Sequence, residues 1–128
     1  MKLNKVFLFG TMSKKPVLEM TVSGKRFCRY MLRVPSYYKG KYFHEFFPIM
    51  VWENVARIVS EYGKQHARIL VEGRMSSSKY EDENGKTHYS ISIIGDTVSF
   101  ENIVARNEKP PVEKKEEKEE IIIIKNDK

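Results

Sequence analysis

Over its first hundred residues the chain carries apolar and polar positions in short alternating blocks, and most of these blocks read as β-strands. Lys5 to Met12 is apolar and rich in β-formers. After a turn at Ser23-Gly24, the segment from Lys25 to Val34 interleaves basic and apolar residues in rough alternation. His44 to Val51 predicts a third strand, reached through Pro35 to Phe43, which reads as a loop crowded with aromatic and basic side chains. One segment has a helical period. Val55, Ile58, Val59 and Tyr62 fall at i, i+3, i+4 and i+7, predicting a helix from about Glu53 to Tyr62 that ends in a left-handed cap at Gly63. Ala67 to Glu81 and Lys86 to Phe100 then form a long hairpin turning at Glu83-Asn84-Gly85.

Three strands, a short helix and a long hairpin define an all-β chain with one short helix. The order is that of a five-stranded OB-fold barrel whose long first or last strand bends across a corner; other small barrels and open meanders share it. The composition breaks near Arg106. Every aromatic residue lies between Phe7 and Phe100, and the segment beyond Arg106 is charged, apart from Ile121 to Ile124. The expected organisation is therefore a domain over residues 1–105 and a disordered, flexible charged tail over 106–128. The four isoleucines are suited to docking on a partner or pairing with a strand edge.

At 128 residues the chain has room for one core, and its apolar runs are far too short for a membrane span. Its first residues lack a signal-peptide pattern, so a cytoplasmic location is expected. A lone cysteine, Cys28, and three scattered histidines provide no disulfide and no metal-ligand spacing; neither metal nor cofactor is expected. The net charge of +6 sits entirely on residues 1–105, which carry 16 Lys/Arg against 10 Asp/Glu. Such a body suits a polyanionic partner, and it also suits solubility alone.

Within the body, aromatic residues stand beside cations. Tyr37-Tyr38-Lys39-Gly40-Lys41-Tyr42 is the densest example, and Lys79-Tyr80 is another near the hairpin tip. A tyrosine can stack on any base while neighbouring cations hold phosphates, which binds single strands without reading base edges. Phe7, Phe9, Phe27 and Phe100 lie on apolar strands and read as core. Trp52, just before the helix, suits either a buried anchor or an exposed ring. The catalytic alternatives are poor. Glu81-Asp82-Glu83 runs into a turn, Ser76 to Ser78 lack a nucleophile elbow, and Cys28 reads as a core residue. No enzyme activity is expected.

Several segments together resemble the bacterial-type single-stranded DNA-binding proteins. They are Asn4-Lys5-Val6-Phe7-Leu8-Phe9-Gly10, Ser23-Gly24-Lys25, Asn54-Val55-Ala56 with Ser60-Glu61-Tyr62, Val71-Glu72-Gly73-Arg74, and Lys79 to Lys86 with Tyr89. The resemblance implies an OB fold and a homotetramer that coats single-stranded DNA in replication, recombination and repair, in the cytoplasm at the nucleoid. By position it implies Tyr38, Phe46, Trp52 and Tyr80 as stacking platforms. It moves Phe46 from a presumed core role to the DNA face and makes Trp52 a DNA contact. Lys5, Arg33, Lys39, Arg74 and Lys79 are the candidate phosphate contacts, expected on one face.

The chain departs from that family at its C-terminus. The family closes with an acidic tip ending in Ile-Pro-Phe that recruits replication and repair proteins, whereas this chain ends Ile121-Ile122-Ile123-Ile124-Lys125-Asn126-Asp127-Lys128. The residues support two other readings. One is a primosome-like OB adaptor that binds DNA weakly and mainly docks replication proteins. The other is a metal-dependent nuclease using Glu81 and Asp82.

Overall fold

The structure, a computed structural model, describes residues 3–107. In chain order these form β1 (Val6–Met12), β2 (Glu19–Met20), β3 (Arg26–Tyr38), β4 (Lys41–Trp52), α1 (Glu53–Tyr62), β5 (Arg68–Glu81), β6 (Thr87–Ser99) and β7 (Val104–Arg106). The strands pair in the order β1-β5-β6-β4-β3, and β1 pairs again with β3, so five strands close into a barrel. All pairings in the circuit are antiparallel except β4 with β6. The five strands expected from the sequence are β1, β3, β4, β5 and β6. The two-residue β2 and the three-residue β7 are additions that its patterning does not announce.

Closure depends on β1. Val6 to Thr11 pair with β5, while Thr11 and Met12 pair with β3. The exchange is visible at single peptides: Met12 N–H donates to Ala67 O at 2.9 Å, and Ser13 N–H donates to Met31 O at 3.1 Å. Two glycines make room at the corners. A Cβ on Gly10 would lie 2.2 Å from Arg33 O, and one on Gly73, beside the β5 bulge, 1.9 Å from Ile94 O. Any side chain at either position forces two strands apart.

The alternation seen in the sequence sets inside from outside. Met12, Cys28, Tyr30, Leu32, Ile49, Val51, Ile69, Val71 and Val98 fill the barrel, and Val55, Ala56 and Val59 of α1 close one end. The helix occupies its expected span, but Gly63 is not a left-handed cap; its φ is −73°. Glycine is needed there for space, because a Cβ would meet Val59 O at 2.4 Å. Lys15 Nζ approaches Ser60 O and Gly63 O at 3.4 Å, so a cation from outside the helix meets the negative end of its dipole.

Two further sequence expectations are corrected. Pro35 to Phe43 is not a loop: β3 and β4 run on as one hairpin to a two-residue turn at Lys39-Gly40, both with positive φ as a tight hairpin turn requires. Phe7 and Phe9 are not core residues; they are 63% and 58% exposed on the outer face of β1. Phe27 and Phe100 are half-buried against the two apolar clusters, in line with a packing role. Of the expected tail over 106–128, Arg106 ends β7 and Asn107 comes next, while residues 108–128, including Ile121 to Ile124, lie outside the described residues.

Cys28 is fully buried and its Sγ–H donates to Ala56 O at 3.3 Å. Burial, reinforced by the negative charge of Glu19, pushes the thiol up to about 11. The folded protein is therefore expected to resist alkylation by iodoacetamide at pH 8 and to react promptly once denatured, as read by mass spectrometry. Gly73→Ala should lower stability by about 1–3 kcal/mol in urea denaturation through overpacking at the bulge.

Candidate nucleic-acid interface

Beyond the barrel, two hairpin arms project. The β3–β4 arm carries Tyr37, Tyr38, Tyr42, Phe43 and Phe46, and the β5–β6 arm carries Lys79, Tyr80 and Tyr89, all exposed. Both arms arise because the paired strands continue past the last core residues, with the register unbroken to Tyr38↔Lys41 and Glu81↔Thr87.

Between the arms, the outer face of β3–β4 is set by cross-strand pairing. Phe27 faces Trp52, Arg29 faces Met50, Met31 faces Pro48 and Arg33 faces Phe46. This face borders a cavity of about 360 Å³ lined by Arg29, Met31, Pro48, Met50 and, from β6, Ser90 and Ile91. A second cavity, of about 350 Å³, meets it at Arg29 to Met31 and extends to Ser13, Lys14 and Val17. The two form a trough crossing the strands between the segment after β1 and the β5–β6 arm. Arg29 is not among the expected contacts, although its alternation with Met31 and Arg33 in the sequence marks it as an outward residue. It lies 5.4 Å over the Phe27 ring and 3.8 Å from a Glu19 carboxylate oxygen.

Three of the four expected platforms are accessible. Tyr38, Phe46 and Tyr80 are 64%, 53% and 56% exposed. By alternation, Tyr37 and Tyr42 continue the face that holds Phe46 and Arg33, and their rings pack 4.8 Å apart, whereas Tyr38 lies on the other side of the arm's tip. Trp52 differs. It is 2% exposed, packed 5.4 Å from Phe27 and against Met50 and Ile94. In this conformation the ring is covered by its neighbours and does not present a face to a base, unlike the other three. Its neighbour Glu53 has a left-handed φ of 49° and accepts the Arg26 N–H at 3.0 Å, which pins the strand-to-helix junction against Trp52.

The five expected cations do not share one face. Arg33 lies on the trough face and directs Nε to Thr11 Oγ1 at 3.3 Å. Lys39 sits at the arm tip with its ammonium 5.4 Å over the Tyr38 ring. Lys79 is exposed beside Tyr80, with no ion pair among the described residues. Lys5 instead pairs with Glu72 at 2.8 Å and lies 5.9 Å over Phe7, on the β1–β5 surface. Arg74 is largely buried and held by Asp96 at 2.6 Å. A guanidinium paired so closely has little charge left for phosphate.

The acidic turn does not gather into a metal site. Asp82 Oδ1 accepts the N–H groups of Asn84 and Lys86, and Oδ2 faces His88. Among the described residues no three His, Cys, Asp or Glu side chains are placed to hold an ion.

A closed five-stranded barrel capped by a helix, with a trough across its β3–β4 face and aromatic arms beside it, defines an OB-fold binding module. Residues 3–101 match the family model described as "Single-strand binding protein family", and the chain belongs to that family. "Single-stranded DNA-binding protein 1" of Clostridium acetobutylicum is 28% identical over 102 residues, covering 77% of this chain and 93% of the relative. "Single-stranded DNA-binding protein 2" of Streptococcus agalactiae serotype III is 28% identical over 109 residues, covering 83% and 81%. Among solved structures, "Plasmodium falciparum SSB complex with ssDNA" superposes with a TM-score of 0.69 at 21% identity, covering 78% of this chain and 96% of that one, which shows the shared fold.

Trp52→Ala should cost about 3–5 kcal/mol of stability in chemical denaturation. In the folded protein, Trp52 emission should be blue-shifted and shielded from acrylamide.

Proposed function

We propose that the protein binds single-stranded DNA without reading its sequence and protects it during DNA replication, recombination and repair. The observation that carries this reading is the run of exposed rings Phe46, Tyr42 and Tyr37 on the face that holds Arg33, with Tyr38 and Lys39 at the arm tip and Tyr80 and Lys79 on the second arm, beside a trough that a flexible strand can enter. Exposed rings offer stacking to any base, and the cations attract the backbone, so affinity depends little on sequence and strongly on salt. Arg29 joins the phosphate contacts, while Lys5 and Arg74 act through their ion pairs with Glu72 and Asp96. Membership of the single-strand binding family and the names of the relatives support the same reading. The role is binding, not catalysis, and residues 1–105 are the binding unit, with 106–128 as an appended charged segment. Among the described residues no helix is long and apolar enough to cross a membrane. A cytoplasmic, nucleoid-associated site of action fits the ligand.

We also propose self-association, with the homotetramer as the expected form. Phe7, Phe9 and Leu70 are exposed together on the outer face of β1–β5, where Phe9 pairs directly with Leu70. Such a patch is stabilised when a second copy covers it. Replication and repair proteins are further candidate partners.

The test is a titration of labelled oligo-dT, oligo-dA and duplex at two salt concentrations, read by anisotropy. Both single strands should bind far more tightly than duplex, with a log–log salt slope of about −0.7 per phosphate contacted. Equal, weak binding to all three would overturn the coating role and favour an adaptor that mainly docks proteins. Phe46→Ala should weaken single-strand binding by about 1–3 kcal/mol without changing the melting temperature. Sedimentation equilibrium should show a tetramer for the wild type and smaller species for Phe7→Ser/Phe9→Ser.

A further inference from the structure

The tip of the β5–β6 arm contains a chain of contacts that stacking and phosphate binding leave unexplained. Asp82 opens the turn, and its Oδ1 accepts the N–H groups of Asn84 and Lys86, each at 2.9 Å. Its Oδ2 lies 2.7 Å from Nε2 of His88. The His88 ring lies nearly parallel to Tyr80, its direct cross-strand partner, with centroids 5.1 Å apart and planes 20° from parallel. One face of Tyr80 is thus covered by an imidazole that is tied to the turn, and the ring is still 56% exposed.

Resting on the single-strand binding reading, we infer that His88 is a positioning residue for Tyr80. It backs the tyrosine ring so that a base stacking on the free face completes a base–tyrosine–imidazole column.

An unsupported tyrosine on an exposed arm must lose rotamer freedom when a base stacks on it; a ring already held flat loses less. The hydrogen bond from His88, together with the backbone N–H groups of the turn, holds the Asp82 carboxyl below the usual carboxylate range, so its anion persists through neutral and mildly acidic pH. That anion orients Nε2 of His88 and so holds the imidazole flat behind the tyrosine.

The test measures binding of labelled oligo-dT to the full chain at pH 8 for wild type, His88→Ala, His88→Phe, Tyr80→Ala and Tyr80→Ala/His88→Ala, with thermal melts of each. His88→Ala should bind about three- to tenfold more weakly. In the Tyr80→Ala background it should add nothing, because the two residues act as one unit. His88→Phe, which keeps a flat ring behind Tyr80, should restore most of the affinity. An undiminished effect of His88→Ala in the Tyr80→Ala background, or a His88→Phe variant that binds as weakly as His88→Ala, would overturn the inference. If the wild type itself fails to bind oligo-dT, the single-strand reading falls, and the inference with it.

Discussion

The handover of β1 from β5 to β3 is the constraint on which the rest of the molecule depends. A sheet left open between β1 and β3 exposes unpaired backbone along both strands, and the helix has no closed end to cover. Closure at Thr11 and Met12 removes those edges and brings Met12 into the core beside Leu32. It is achieved with Gly10 and Gly73 at the corners, where backbone must approach backbone. With the barrel closed on itself, β3–β4 and β5–β6 can extend past it without leaving the core incomplete. The arms are those extensions, and the trough crosses the β3–β4 face beside them.

Strand alternation then distributes the aromatic residues. Tyr30 and Phe47 point inward, whereas Phe7, Phe9 and Phe46 point outward at neighbouring points of the same barrel. The outward rings form two separate groups: Phe7 and Phe9 lie with Leu70 on the β1–β5 face, and Phe46 lies with Arg33 on the trough face. Local charge differs accordingly. Lys5 is neutralised by Glu72 beside Phe7, while Lys39 and Lys79 stand next to tyrosines without a carboxylate partner among the described residues. On the proposed function, a polyanion is drawn to the second group and a second copy covers the first.

Much of this is legible in the chain. The helix, the five barrel strands and the Asn84-Gly85 turn are dictated by period and turn chemistry, and the family resemblance points to Tyr38, Phe46 and Tyr80. The features that escape have identifiable causes. Phe7 and Phe9 alternate strictly with Val6 and Leu8, but an all-apolar strand does not reveal which of its faces meets the core. Pro35 and Gly40 suggest a loop, although a proline tolerates a strand extended beyond a barrel and Gly40 supplies a two-residue turn. Trp52 has the outward parity of Phe46, and only the packing of Phe27, Met50 and Ile94 around it shows that outward here still means buried. Lys5 and Arg74 look like free cations until Glu72 and Asp96 are seen opposite them. The pairing of His88 with Tyr80 depends on the hairpin register, which places residues eight apart in sequence face to face.

The most direct measurement of where a strand lies on this surface is photo-crosslinking of a 5-iodouracil-substituted oligonucleotide, with the adducts located by mass spectrometry. Adducts should appear on Phe46, Tyr80 and the Tyr37–Tyr42 arm, with none on Phe7 or Phe9. Adducts concentrated on Phe7 and Phe9 would contradict this placement and put the strand on the β1–β5 face instead.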